Sequence, residues 1–381
     1  MSATNPFKPT LGATPPCLVG REDYVADFAL ALDEGPGAHE RVTLITGPRG
    51  IGKTVLLNAF EEAAKQRSWW VIAETATPGF PGRIRDEAHR IMLQHLRPER
   101  KRLTGASLAK VGGANWEFHE ELRPQATLRS VLTEFLQLQA ELDRLLNQEP
   151  IGLLITLDEL HYSNRDDVIE LGTVMQHLIR ENQQIAIAMA GIPGAVKPLL
   201  ADAEVSNPVT FLRRANRIDL QMLSAAESRR ALVEPLSDTA GSWSADALSA
   251  AVQSTGGYPF MVQLVGQICL RQSRGGEISA EAAASGVQRA FTKLGQLVHE
   301  PALNDLSEVD RAFLRAMAED DGPSNMGDIA ARLGESAQYA GVYRSRLIEA
   351  QMIRSVGRGA VDFELPGMRD YLRQLADDER P

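Results

Sequence analysis

Apolar positions fall into two rhythms along this chain. Short, continuously apolar or β-branched runs recur at 41–46, 69–76, 151–157, 184–191 and 217–220, each bounded by polar or Gly/Pro turns, and they read as strands. Between them, apolar residues at helical spacing occupy 24–32, 55–64, 84–96, 128–146 and 173–180. Strands that are apolar without alternation are covered on both faces, so the first half predicts an α/β fold with a parallel sheet. From 224 to 298 the pattern is helical throughout. Ser224-Ala225-Ala226-Glu227 is a capping box, Ser244 and Ser279 are candidate N-caps, and Ser254 to Phe260 is the one sharp break. A third regime starts near Pro301. Ser307-Glu308-Val309-Asp310 opens a helix to about Glu319, further helices are expected over 326–333 and 337–352, and the runs 353–356 and 360–365 flank Gly357-Arg358-Gly359 as a hairpin. Three helices and a hairpin predict a winged helix-turn-helix. The expected organisation is an extended arm over 1–18, an α/β unit over 19–222, a helical unit over 223–300 and a winged helix over 301–381. Residues 104–126 carry no readable period.

Chemistry enters at two places in this pattern. Gly47-Pro48-Arg49-Gly50-Ile51-Gly52-Lys53-Thr54 follows the first strand and opens a helix at Val55. Strand, Gly-rich turn and helix opening on Lys-Thr is the context of a phosphate-binding P-loop. Glycines let backbone N–H groups close around phosphate oxygens, and the helix N-terminus adds a favourable field. Lys53 is placed for the β- and γ-phosphates and Thr54 for Mg²⁺. The second place is the strand 151–157, which ends in Asp158-Glu159 and then His161. Beside a P-loop this is the Walker B arrangement: Asp158 supports the metal, and Glu159 orients and polarises the attacking water. His161 reads as a structural or sensor contact. Arg213 and Arg214 precede the last strand, where they either complement a helix C-terminus or serve the nucleotide.

Composition narrows the classes. A net charge of −10 over 381 residues excludes a nucleic-acid coat, leaving only a local patch. Arg97, Arg100, Lys101 and Arg102 form a basic run that reads as a solvated loop or as such a patch. The two cysteines, Cys17 and Cys269, are too few for a disulfide framework or a zinc motif, which suits a reducing cytoplasm. No run approaches the roughly 20 apolar residues of a membrane helix, and the N-terminus lacks the apolar core of a signal peptide.

Together, Val19-Gly20-Arg21-Glu22, the P-loop, Asp158-Glu159, Gly257-Tyr258-Pro259 in a helical lid and a terminal winged helix resemble the AAA+ ATPases. The likeness is nearest to the group of initiator-type, archaeal-type and STAND ATPases. The resemblance implies a P-loop NTPase parallel sheet with helices on both faces, an all-helical lid and a winged helix-turn-helix, with ATP or ADP and Mg²⁺ as ligands. It implies that Val19, Gly20 and Arg21 border the adenine and that Tyr258-Pro259 packs on the nucleotide and reports its state. Arg213 or Arg214 would reach the γ-phosphate of a neighbouring copy in a homo-oligomer. Two departures stand out: Met189-Ala190-Gly191 lacks the polar sensor-1 residue, and the lid has no clear sensor-2 arginine. Slow turnover, with nucleotide as a switch, is the expectation.

The winged helix leaves alternatives open. Helix 337–352 would enter a DNA groove with Arg344 and Arg346, and Arg358 would sit in the wing. Yet residues 307–381 carry ten arginines against fourteen acids, a net of −4, which is poor for counterion release. Packing on the lid, or binding a protein partner, is the other role. Three functions remain: a regulatory ATPase, a DNA-binding initiator or transposition-helper ATPase, and a nucleotide-bound scaffold without catalysis.

Overall fold

The computed structural model describes residues 5–10, 12–96, 126–193, 210–274 and 276–378. The basic run 97–102 and the aperiodic stretch 104–125 lie outside the described residues. In the first half the elements are α1 Glu22–Glu34, β1 Val42–Thr46, α2 Lys53–Gln66, β2 Trp70–Thr75, α3 Phe80–Ile91, α4 Leu128–Leu146, β3 Leu153–Asp158, α5 Arg165–Arg180, β4 Ile185–Gly191 and β5 Asn216–Asp219. Helix α5 starts earlier than its apolar period suggests. Asn164 caps it by accepting the Asp167 N–H at 2.8 Å, and the charged first turn hides it from a hydrophobic reading.

Among the described residues the main sheet has the order β2-β3-β4-β1-β5, and its strands pair in parallel. Strand β4 is buried along its whole length and lies between β1 and β3. Its side chains alternate between faces. Ile185, Ile187 and Met189 join the core under α3, α4 and α5, while Ala186, Ala188 and Ala190 face α1 and α2. The row of small alanines leaves room for α2, the helix that follows the P-loop, to seat close to the sheet. Phe28 and Phe60 stack at 4.1 Å and join α1 to α2, and burying each ring contributes about 1.5–3 kcal/mol. Arg41, also buried, donates to the Ala31 and Leu32 carbonyls at the end of α1 and lies 4.9 Å over the Trp69 ring.

The helical unit contains α6 Ala225–Val233, β6 Ser242–Trp243, α7 Ala245–Thr255, α8 Pro259–Gln272, β7 Glu277–Ile278 and α9 Ala280–Leu294. Ser224 closes its capping box with Glu227, and the Ser244 and Ser279 side chains accept the Ala247 and Ala282 N–H groups. Gly256 and Gly257 both have positive φ, which lets α7 turn into α8. The Gly257 carbonyl accepts the Leu223 N–H at 2.8 Å, and a Cβ at 257 would lie 2.1 Å from the Leu223 carbonyl oxygen. Phe7 from the N-terminal arm and Val19 just after it pack into this unit's core.

A π turn, Gly295–His299, and a short helix, Glu300–Asn304, lead into the last region. It comprises α10 Glu308–Ala318, β8 Ser324–Asn325, α11 Met326–Leu333, α12 Ala337–Glu349, β9 Ile353–Gly357, β10 Ala360–Phe363 and α13 Met368–Asp378. Strands β9 and β10 form the expected antiparallel hairpin, and β8 adds a third strand in the order β8-β10-β9. This region fits a winged-helix unit after a lid. The two-residue β8 and the charge-rich α13 are absent from the hydrophobic pattern, because each offers few apolar positions to a sequence reading.

Candidate functional site

Strands β1 and β3 deliver their chemistry at the same, C-terminal end of the sheet. In an open parallel sheet that end is where ligands bind. Residues 49–55 and Glu159 line a cavity of about 470 Å³ there. Gly47, Gly50 and Gly52 all have positive φ, so the loop takes a path closed to most side chains. The first turn of α2 borders the cavity with its N-terminus.

The charged groups converge on this end. Lys53 is buried, and its ammonium donates to the Gly47 carbonyl at 2.8 Å and the Pro48 carbonyl at 2.9 Å. Burial holds its pKa below the ordinary lysine value, while Glu159 and Asp158 pull the other way. The Thr54 hydroxyl donates to Asp158 Oδ2 at 2.6 Å, and the Glu159 N–H donates to Asp158 Oδ1 at 2.8 Å. Asp158 is thus held at both oxygens. Glu159 has φ 56°, a left-handed conformation, and begins the turn that swings the chain away from β3. Its carboxyl is pushed above the usual range, first by burial and then by Asp158. His161 Nδ1 lies 3.2 Å from Glu159 Oε2 and lacks hydrogen-bond alignment. Burial, then Arg49 and Lys53, push the His161 pKa below the ordinary histidine value, while Asp158 acts the other way.

The remaining expected residues divide. Val19 and Arg21 line the cavity, and Arg21 Nη2 donates to the Gln221 carbonyl at 2.5 Å. Gly20 packs instead against Glu227, where a Cβ would lie 2.5 Å from a carboxylate oxygen. Pro259 lines the cavity, as do Phe260 and Val262 next to it. Tyr258 is placed differently from the resemblance's picture: it sits on the P-loop itself. Its hydroxyl donates to the Arg49 carbonyl at 3.1 Å, and a Cβ on Gly50 would fall 2.0 Å from that hydroxyl. Arg213 and Arg214 lie just ahead of β5, at the opposite end of the parallel sheet from the P-loop. Arg214 borders a separate cavity of about 330 Å³ with Arg180 and His39, whose Nε2 bonds the Arg214 carbonyl at 2.8 Å.

Several cavity residues have no motif to announce them. Lys8, Thr10, Gly12, Ala13 and Pro15 of the arm form one wall. Only the Gly/Pro content of the arm hints at a chain that must bend around something.

The fold and the site define a P-loop nucleotide-binding protein. Comparison with known families is more specific: residues 17–187 match the model of the AAA ATPase domain. Residues 296–372 match a domain of unknown function, DUF8462. No curated protein matches the sequence. Among solved structures, a Walker-type ATPase of Pyrococcus abyssi is 16% identical, with 93% of this chain and 96% of that chain covered and a TM-score of 0.66, a likeness of fold. Cdc6p of Pyrobaculum aerophilum is 16% identical over 98% of each chain, with a TM-score of 0.49. The RuvB Holliday junction branch migration motor of Thermotoga maritima is 16% identical over 93% and 95%, with a TM-score of 0.45. Among the described residues no helix is long and apolar enough to cross a membrane.

Proposed function

We propose that this chain is a slowly hydrolysing AAA+ ATPase in which the nucleotide state sets the arrangement of lid and winged helix. The observation that carries the reading is the convergence of Lys53, Thr54, Asp158 and Glu159 at one sheet end, with Thr54 and Asp158 2.6 Å apart. In this reading residues 19–222 hold ATP, 223–300 are the lid and 301–381 the winged helix. The residues suit the ligands. Positive-φ glycines and the α2 N-terminus offer main-chain N–H groups to phosphate, and Thr54 with Asp158 is the hard-oxygen pair that Mg²⁺ takes. When bound, the metal supplies neutralisation of phosphate charge. Lys53 binds the phosphates, and Glu159 accepts a proton from the attacking water. A carboxyl raised by burial is a better base than an exposed one. Val19, Arg21 and Pro259 border the base, and Tyr258 links the lid to the loop that grips the phosphates.

Two variants test this. Lys53→Ala is expected to weaken ATP binding at least about 100-fold, because hydrogen bonds to charged groups are worth about 1.5–3 kcal/mol each. Glu159→Gln is expected to bind normally and to lose about 10²–10⁴-fold in phosphate release. Tight binding by Lys53→Ala in calorimetry would remove the phosphate assignment, and undiminished turnover by Glu159→Gln would favour another base.

The DNA reading has less support. Arg346 donates to Asp310 at 2.8 Å and Arg344 to the Ser355 hydroxyl at 3.0 Å, so both guanidinium groups already serve the fold. The outer surface of α12 also exposes Val342. Packing on protein fits these features better than a phosphate backbone does.

A further inference from the structure

We infer that the N-terminal arm is a strap across the nucleotide cavity, fastened to the lid at one end and to the P-loop helix at the other, and that it sets the rate of nucleotide release. The inference rests on the nucleotide reading and adds a part to the site. At the lid end, Phe7 is 1% exposed and fills a notch on α8. The notch exists because residue 266 is glycine: a Cβ there would lie 2.4 Å from the Phe7 ring. Two side chains of α8 grip the single peptide unit that follows the ring. Gln263 Oε1 accepts the Lys8 N–H at 3.0 Å, and Gln267 Nε2 donates to the Phe7 carbonyl at 3.3 Å. Asn5 Nδ2 returns a bond to the Gln267 carbonyl at 3.0 Å.

At the other end the arm is held by α2. Asn58 Nδ2 donates to the Gly12 carbonyl at 2.9 Å and to the Thr14 hydroxyl at 3.3 Å. Gly12 also lies against Thr54, the residue facing Asp158: a Cβ at 12 would be 3.4 Å from the Thr54 methyl group. Thr10 between the two fastenings, and Lys8, Ala13 and Pro15 at or beside them, line the cavity. A nucleoside di- or triphosphate held by Lys53 would therefore lie under a segment joined to both lid and P-loop helix. For it to leave, the lid must part from α2 with the strap detached, or the strap must lift away. Either route breaks the Phe7 packing or the Asn58 bonds.

The test uses the full chain and a fluorescent ADP analogue, with dissociation followed by stopped-flow after a chase of unlabelled ADP. Thr14→Cys with Asn58→Cys, in a Cys17→Ser background, places two thiols where arm and α2 touch, and Cys269 is buried away from them. Oxidised glutathione closes the bridge and a reductant opens it, so one protein sample gives both states. Release is expected to be at least about tenfold slower with the bridge closed than open, and at least about tenfold faster in Phe7→Ala than in the parent chain. Equal release from the closed and open forms, with thiol titration showing the bridge complete, would overturn the strap, and so would unchanged release from a folded Phe7→Ala. If the parent chain binds no analogue, the nucleotide reading and the strap fall together. If it binds and release ignores the arm, only the strap falls.

Discussion

Gly50 meets two demands at once. Its φ of 74° is unfavourable for a side chain, and the Tyr258 hydroxyl occupies the place of its Cβ. Gly50→Ala is therefore expected to cost about 1–3 kcal/mol from backbone strain and further stability from the collision. Placed with Tyr258→Ala, the same change should cost less, leaving a coupling of about 0.5–3 kcal/mol in a double-mutant cycle read by denaturant melts. Strict additivity would mean that loop and ring do not press on one another. At this scale the sequence is legible wherever spacing is rigid. Gly47 to Thr54 follows from loop geometry, and Asp158-Glu159 from a strand that ends in acids. Tyr258 was readable as part of a lid motif, but its seat on Gly50 joins residues far apart in the chain, and no local rule encodes such a contact. His161 could be named from sequence, whereas its approach to Glu159 depends on the turn that Glu159 itself begins.

Among the elements, the seam between α9 and α13 carries a buried base. His299 sits in the π turn, with Nε2 bonded to the Pro366 carbonyl at 2.9 Å and its ring 5.1 Å from that of Tyr371. Its Nδ1 is buried without a partner, and burial holds its pKa below the ordinary histidine value. The unfolded chain therefore takes up this proton first as the pH falls. Stability is full above the unfolded value of 6.5 and declines below it, until the pH passes the lower folded value. Melts between pH 7.5 and 5 should show this slope, and His299→Gln, which keeps a donor for Pro366, should flatten it. A second expectation concerns α12. Arg346 supports the buried Asp310 carboxylate that caps α10, so Arg346→Ala should cost about 1.5–3 kcal/mol in a denaturant melt. A loss of DNA retention by this variant counts for the DNA reading only if its melt is unchanged. The capping box Ser307 to Asp310 was legible from sequence. The arginine that returns to it from another helix was not, because nothing in the spacing of α12 distinguishes a groove-facing arginine from one turned inward.

For the whole molecule, the sheet sets what one copy can do alone. Arg213 and Arg214 stand at the end of the sheet away from the P-loop of the same chain, so a γ-phosphate within their reach would be one bound by a second copy. If they act so, turnover per chain should rise with protein concentration as copies of 41.6 kDa assemble. Arg213→Ala with Arg214→Ala should then lower turnover about 10³-fold or more while leaving nucleotide binding intact. Turnover independent of concentration, with a monomer mass in ATP by light scattering, would exclude that role. The order of elements was legible because the chain changes rhythm twice, from continuous apolar strands with helices between them, to helices with one sharp break, to helices with a hairpin. The short β6–β7 pair within the second stretch was not. The arm's path was hidden because its segments are held by Gln263, Gln267 and Asn58 from distant helices rather than by a pattern of their own.

The contact between Gly50 and Tyr258 also bears on descent. Two positions that share one small volume cannot drift separately. A lineage that acquires a bulkier residue at 50 must already have given up the ring at 258, so ancestors and cousins of this chain should show the two sites changing as a pair.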